Sequence, residues 1–190
     1  MPHYKTFVFK QTCQNNLSSI SYALKKTMFF IGCIFSVVNC FSQSSEDYAN
    51  SANTKAELKD YKGAIADYTR AIQINPNIDI YYFLRANNKL EINDYTGAIG
   101  DYDKAIQIDS TRVGYYVVRA LAKEDIQDYQ GAIADYNILI EKDSGDFLSL
   151  HYLNRGLAKR NLLDFRGAIQ DFQRQLKLQE IILWHIITEV

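Results

Sequence analysis

The chain has 190 residues, 47% of them apolar and 23% charged, with a formal net charge of −1. That length accommodates one domain with a short appendage, and the composition belongs to a folded chain, not a disordered one. A balance so near neutrality provides no global field for nucleic acid or an anionic membrane, which excludes nucleic acid as the expected partner.

Residues 1–42 form an N-terminal extension distinct from everything after it. Residues 1–24 show no sustained period. Residues 24–42 then combine Lys25 and Lys26, an apolar run from Met28 to Val38, and the small-x-small sequence Cys40-Phe41-Ser42. These are the three parts of a secretory signal peptide, with cleavage expected before Gln43. The apolar run is shorter than the roughly 18–20 residues that span a bilayer, so no stable membrane insertion is expected after cleavage. The expected location is therefore periplasmic or secreted. The alternatives are a membrane anchor through 28–41, or a cytoplasmic chain if the signal is not used. Because the pattern begins near residue 24, a translation start closer to Leu24 is expected. Cys13, Cys33 and Cys40 all precede Gln43, so the exported chain is expected to carry no thiol, disulfide or cysteine nucleophile. Asn39 before Cys40 is a poor match to a lipidation signal.

From Asp60 the sequence DYKGAIADYTRAIQINP recurs as DYTGAIGDYDKAIQIDS, DYQGAIADYNILIEKDS and DFRGAIQDFQRQLKLQE; the first three copies start 34 residues apart and the last step is 36. A fixed period of this size marks stacked units. The units are 45–78, 79–112, 113–146 and 149–182, with Phe147 and Leu148 inserted. Each divides into two helices at Lys59-Asp60, Asn93-Asp94, Gln127-Asp128 or Leu163-Asp164, where the aspartate suits a helix start. In the second helix Tyr61, Ala64, Ile65, Tyr68, Ala71 and Ile72 recur with a 3.6-residue period. Ala64, Ala98, Ala132 and Ala168 are expected to face Ala52, Ala86, Ala120 and Gly156 of the first helices, and small residues on both sides allow close approach. Ten of the 14 tyrosines fall at three repeat positions, which makes them packing residues, not a cofactor site.

Charge repeats as well. Arginine stands at position 7 of three units (Arg85, Arg119, Arg155), lysine at position 11 of all four (Lys55, Lys89, Lys123, Lys159), and aspartate at position 23 of all four (Asp67, Asp101, Asp135, Asp171). The arginines are expected to bridge to the aspartates within or between units; the alternative is a solvated charged face.

An aromatic at position 4, a small residue at 8, alanine at 20 and an aromatic at 24 hold in all four units, and in this the chain resembles the tetratricopeptide repeat family. Position 27 keeps alanine only at Ala71 and Ala105, becoming Leu139 and Gln175, and the proline of position 32 survives once, as Pro76. The resemblance implies an all-α fold, a right-handed superhelical α-solenoid of helix–turn–helix repeats over residues 45–182. It also implies a concave groove lined by the first helices, which in the family holds peptide segments. Carried onto this chain, the groove positions are Ala49, Asn53, Phe83, Asn87, Leu90, Val117, Leu121, Leu153, Leu157 and Arg160, with Asn53 and Asn87 offered to a peptide backbone. The cationic clamp that some members use for a C-terminal carboxylate is missing, since Ala49 and Val118 stand in its places. The implied partner is a protein or peptide presenting an apolar or amphipathic segment. Against this, Phe83, Val117 and Leu153 can instead pack between adjacent units.

The chain closes on an apolar tail, 183–190, within the sequence QEIILWHIITEV. Stacked repeats usually finish on a polar face. This tail is expected to fold back over the last helix, begin a further repeat, or dock on a partner, including a second copy through Ile181 to Ile187. No chemistry emerges from the rest. Carboxylate pairs that recur in every unit are architecture and not an acid/base site. His3, His151 and His185 are too scattered for a metal motif. No phosphate loop, nucleophile elbow or zinc-protease motif occurs. No catalytic residue, metal or cofactor is expected. The function expected is a non-catalytic protein-interaction scaffold, and the alternative is a self-associating fragment of a longer array.

Overall fold

The computed structural model describes residues 43–142, 145 and 147–188. Among these are eight helices and no strand: α1 (Ser45–Glu57), α2 (Tyr61–Ile74), α3 (Asp79–Glu91), α4 (Tyr95–Ile108), α5 (Val113–Asp125), α6 (Tyr129–Lys142), α7 (Leu148–Asn161) and α8 (Phe165–Thr188). Each helix packs against its neighbours in sequence, so the fold is an α-solenoid of four helix pairs. The segment expected to be a signal peptide lies outside the described residues.

One local device makes all four hairpins. Lys59, Asn93, Gln127 and Leu163 adopt the left-handed conformation, with φ between 61° and 63°. The following aspartate N–H then reaches back to a carbonyl of the first helix, as Asp60 does to Lys55 at 2.8 Å and Asp164 to Lys159 at 2.9 Å. This is a Schellman closure, built here on residues other than glycine. The same aspartate caps the second helix: Gly63, Gly97, Gly131 and Gly167 donate their N–H groups to Asp60, Asp94, Asp128 and Asp164 at 2.9–3.0 Å. Each aspartate thus ends one helix and starts the next, satisfying orphan backbone groups of both.

The small residues do what their pattern requires. Ala52, Ala64, Ala86, Ala98, Ala120 and Ala132 are fully buried, with Tyr68, Tyr102 and Tyr136 beside them. In the fourth unit a Cβ on Gly156 would come within 2.6 Å of the Phe172 ring, so glycine makes room for phenylalanine there. The core is not divided unit by unit. Tyr81 of the second unit joins the first unit's cluster, and Ala122 of the third joins the second's.

The charged positions form bridges both within and between units. Asp67, Asp101, Asp135 and Asp171 are buried. In the second unit Arg85 donates to both carboxylate oxygens of Asp101, at 2.8 and 2.6 Å. Arg119 holds Asp135 and Arg155 holds Asp171 in the same bidentate way. Lys89, Lys123 and Lys159 bind the same aspartates at 2.8–2.9 Å. The remaining arginine nitrogen reaches the preceding unit, from Arg85 to Thr69 at 3.0 Å, Arg119 to Asp103 at 2.6 Å and Arg155 to Asn137 at 2.7 Å. The guanidinium also lies over the tyrosine one helical turn before it, Tyr82, Tyr116 or Tyr152, at 5.3–5.7 Å. The first unit has Ser51 in place of the arginine. There Ser51 and Lys55 bind Asp67, while Arg70 contributes the third contact and covers Tyr48. Burial alone would raise the Asp171 carboxyl; hydrogen bonds from Arg155 and Lys159, with their charges, outweigh it and hold the group below the usual carboxylate range.

Two variants test these readings. Arg119→Ala leaves Asp135, 2% exposed, with Lys123 alone, and is expected to cost about 3 kcal/mol in denaturant unfolding. Lys104→Ala, at an exposed site, should stay within about 0.5 kcal/mol of the parent. Equal effects of the two would show that the buried network does not hold the stack. Leu163→Gly removes a left-handed, 73% exposed leucine and should stabilise by up to about 1 kcal/mol; a loss of stability would mean that Leu163 is not strained.

Candidate functional site

The site expected from sequence runs along the first helix of each pair, α1, α3, α5 and α7. Repeat positions 5, 9 and 12 lie four and three residues apart and so share one stripe of each helix. Ala49 is buried in the first core cluster and presents no side chain outward. Asn53 is exposed and Asn87 half-buried. Phe83 and Leu90 are half-buried against the second unit's core, and Val117 against the third's. Leu153 and Leu157 are half-buried, while Leu121 and Arg160 are exposed.

Phe83 is held from two sides. Its ring stacks on Tyr115 of the next unit, with centroids 4.7 Å apart and planes at 29°, and lies tilted against Tyr102 at 5.9 Å. Tyr115 in turn donates its hydroxyl to Asp79 of the preceding unit at 2.5 Å. This residue therefore packs between units and also edges the stripe, joining two roles that the sequence presents as alternatives.

The asparagines are tied to the core beneath them. Tyr102 donates its hydroxyl to the Asn87 side-chain oxygen at 2.6 Å, and Tyr68 does the same to Asn53. The carbonyl end of each amide is thus occupied, which leaves the NH2 group to face outward. Burial pushes the Tyr68 phenol up to about 12. In the third unit the pairing is broken, because Leu121 occupies the asparagine position. There the buried Tyr136 hydroxyl interacts with the Glu124 carboxyl and with the Asn154 side chain instead. Burial raises the Glu124 carboxyl, more than the hydrogen bond from Tyr136 lowers it, and neighbouring Asp125 adds to the rise. Position 12 holds Ala56, Leu90 and Arg160 in the other units, so Glu124 is a departure that reasoning from the repeat passed over. The signal was present: Asn at position 9 accompanies Tyr at 24 in two units, and Leu121 breaks the pair in the third.

Chemically, the stripe offers apolar surface, amide groups and isolated charges. Among the described residues no group of three or more His, Cys, Asp or Glu side chains is placed to hold a metal ion.

Residues 48–78 match the tetratricopeptide repeat family. No curated protein matches the chain as a whole. Solved structures similar in fold include a crystal structure of MamA, at 18% identity over 78% of this chain and 85% of that one, with a TM-score of 0.68. The tetratricopeptide domain of Arabidopsis OM64 matches at 27% identity over 61% and 94% of the two chains, with a TM-score of 0.54. The first tetratricopeptide domain of Spaghetti (RPAP3), bound to the HSP90 peptide SRMEEVD, matches at 20% identity over 64% and 98%, with a TM-score of 0.55. With its paired helices, left-handed turns and alanine contacts, the chain is a tetratricopeptide-type helical solenoid that carries a recognisable family repeat at residues 48–78.

Proposed function

We propose that this protein is a non-catalytic scaffold that binds a protein or peptide segment along the face formed by α1, α3, α5 and α7. The observation that carries the proposal is the apolar character of that face. Leu90, Val117, Leu121, Leu153 and Leu157 remain wholly or partly open to water on successive helices, and the buried arginines and lysines that might bind an acidic peptide are engaged by aspartates. A similar fold, the Spaghetti domain, is bound to an HSP90 peptide. Here Ala49 and Val118 stand where a carboxylate clamp would have cations, so the segment that fits is apolar or amphipathic. Selection of random peptides on the full chain should enrich such sequences, and Leu153→Glu should weaken the selected peptides about tenfold or more. Recovery of no peptide, or binding indifferent to Leu153→Glu, would sink the groove reading.

The protein acts outside the cytoplasm, on the strength of the signal pattern at 24–42; a membrane anchor through 28–41 and a cytoplasmic chain are the competing fates. Among the described residues no helix is long and apolar enough to cross a membrane. Cell fractionation with N-terminal sequencing decides: a chain starting at or near Gln43 outside the cytoplasm is expected, and an uncleaved cytoplasmic chain would overturn the assignment.

A second reading, self-association through the C-terminal end and Ile181 to Ile187, is favoured by one observation. α8 does not turn where its counterparts end but continues unbroken to Thr188, with Ile181 and Trp184 exposed.

A further inference from the structure

In units one to three the second helix is covered by the first helix of the following unit, whereas among the described residues nothing covers the corresponding face of α8. Ile72 is 9% exposed, but Leu176 at the same repeat position is 57% exposed. Phe165 and Ile169 are 58% and 55% exposed, where Tyr61 and Ile65 are half-buried. Phe165, Ile169, Phe172 and Leu176 follow one another at steps of four, three and four, the spacing of a coiled-coil seam, with Phe172 half-buried against Gly156 of α7 and the other three exposed. Along one flank of this seam Arg166, Gln173 and Glu180 recur every seven residues, and all three are exposed. The other flank is closed: Ala168 and Asp171 are buried, and Asp171 is held by Arg155 of α7.

The opposite end of the solenoid has a different surface. Asp47, Asn50, Ser51 and Thr54 of α1 occupy the positions that Tyr81, Leu84, Arg85 and Asn88 fill at the junction between units one and two. A copy's α1 therefore offers a polar face, and covering the apolar seam with it would desolvate those groups without return. Head-to-tail growth is disfavoured by this asymmetry, which leaves the seam to pair with its own kind.

We infer that the exposed seam of α8 packs against the α8 seam of a second copy of this chain, antiparallel about a two-fold axis near Gln173, with Arg166 of each protomer opposite Glu180 of the other. Gln173 lies midway between the two charges, so an antiparallel pair matches opposite signs twice. A parallel pair would set this open flank against the flank that α7 already covers. The inference rests on the self-association reading and specifies its geometry.

The test is sedimentation velocity of the full chain over a concentration series, with each variant's helicity checked. A monomer–dimer equilibrium is expected. Leu176→Glu, at an exposed site, should leave monomer only. Arg166→Glu and Glu180→Arg should each raise the dimer Kd about tenfold, since each places like charges opposite one another twice, and the double exchange should restore it. Wild-type protein that stays monomeric would overturn both this pairing and self-association. A dimer indifferent to Leu176→Glu would keep self-association and overturn the seam. Loss in both single exchanges without restoration in the double, or growth beyond a dimer, would overturn the antiparallel two-fold arrangement.

Discussion

Asp67, Asp101, Asp135 and Asp171 lie almost wholly out of water, where an unanswered carboxylate costs of order several kcal/mol. The chain answers each with two or three cationic or hydroxyl donors from helices of the same unit. Because the arginine also reaches residue Thr69, Asp103 or Asn137 of the unit before, the partner that neutralises one unit registers it on its neighbour. A guanidinium can do this and an ammonium cannot, since its planar fork has donors to spare after a bidentate pair.

The first unit shows the rule by exception. With no unit before it among the described helices, it has no use for a backward-reaching arginine, and Ser51 stands there instead. Its Asp67 is still satisfied, but by Arg70 from its own second helix. The polar residues Asp47, Asn50 and Thr54 complete a surface suited to water. The last unit has no comparable finish: its second helix runs on to Thr188 with the junction face open. Among the described residues the solenoid is polar at one end and apolar at the other.

Between the ends, the stripe along the first helices is formed by the same residues that stack the units. Phe83 is fixed by Tyr102 and Tyr115, and Asn53 and Asn87 are fixed by tyrosines of the core. Such side chains are held in place by the core, so a segment bound along the proposed groove would order few of them. Unit three departs from this, with Leu121 breaking the pair and the Tyr136 hydroxyl meeting Glu124 instead.

Repetition made much of this protein readable without coordinates. A 34-residue period, alanines facing alanines and an aspartate at each hairpin are local or strictly periodic signals, so they determine the helix pairs and their order, while the recurring Arg and Asp positions left bridges and a solvated charged face both open. Three features had no such signal. The left-handed residue at each turn is Lys, Asn, Gln or Leu, so no glycine announced it, and only the Schellman hydrogen bonds reveal the conformation. The occupation of Asn53 and Asn87 by core hydroxyls joins residues 15 apart on different helices, and its trace in sequence, Asn at position 9 with Tyr at 24, recurs in two units only. The exposure of α8 is likewise a property of the stack: Phe165, Ile169 and Leu176 resemble their buried counterparts in sequence, and differ because burial depends on what the next helix covers.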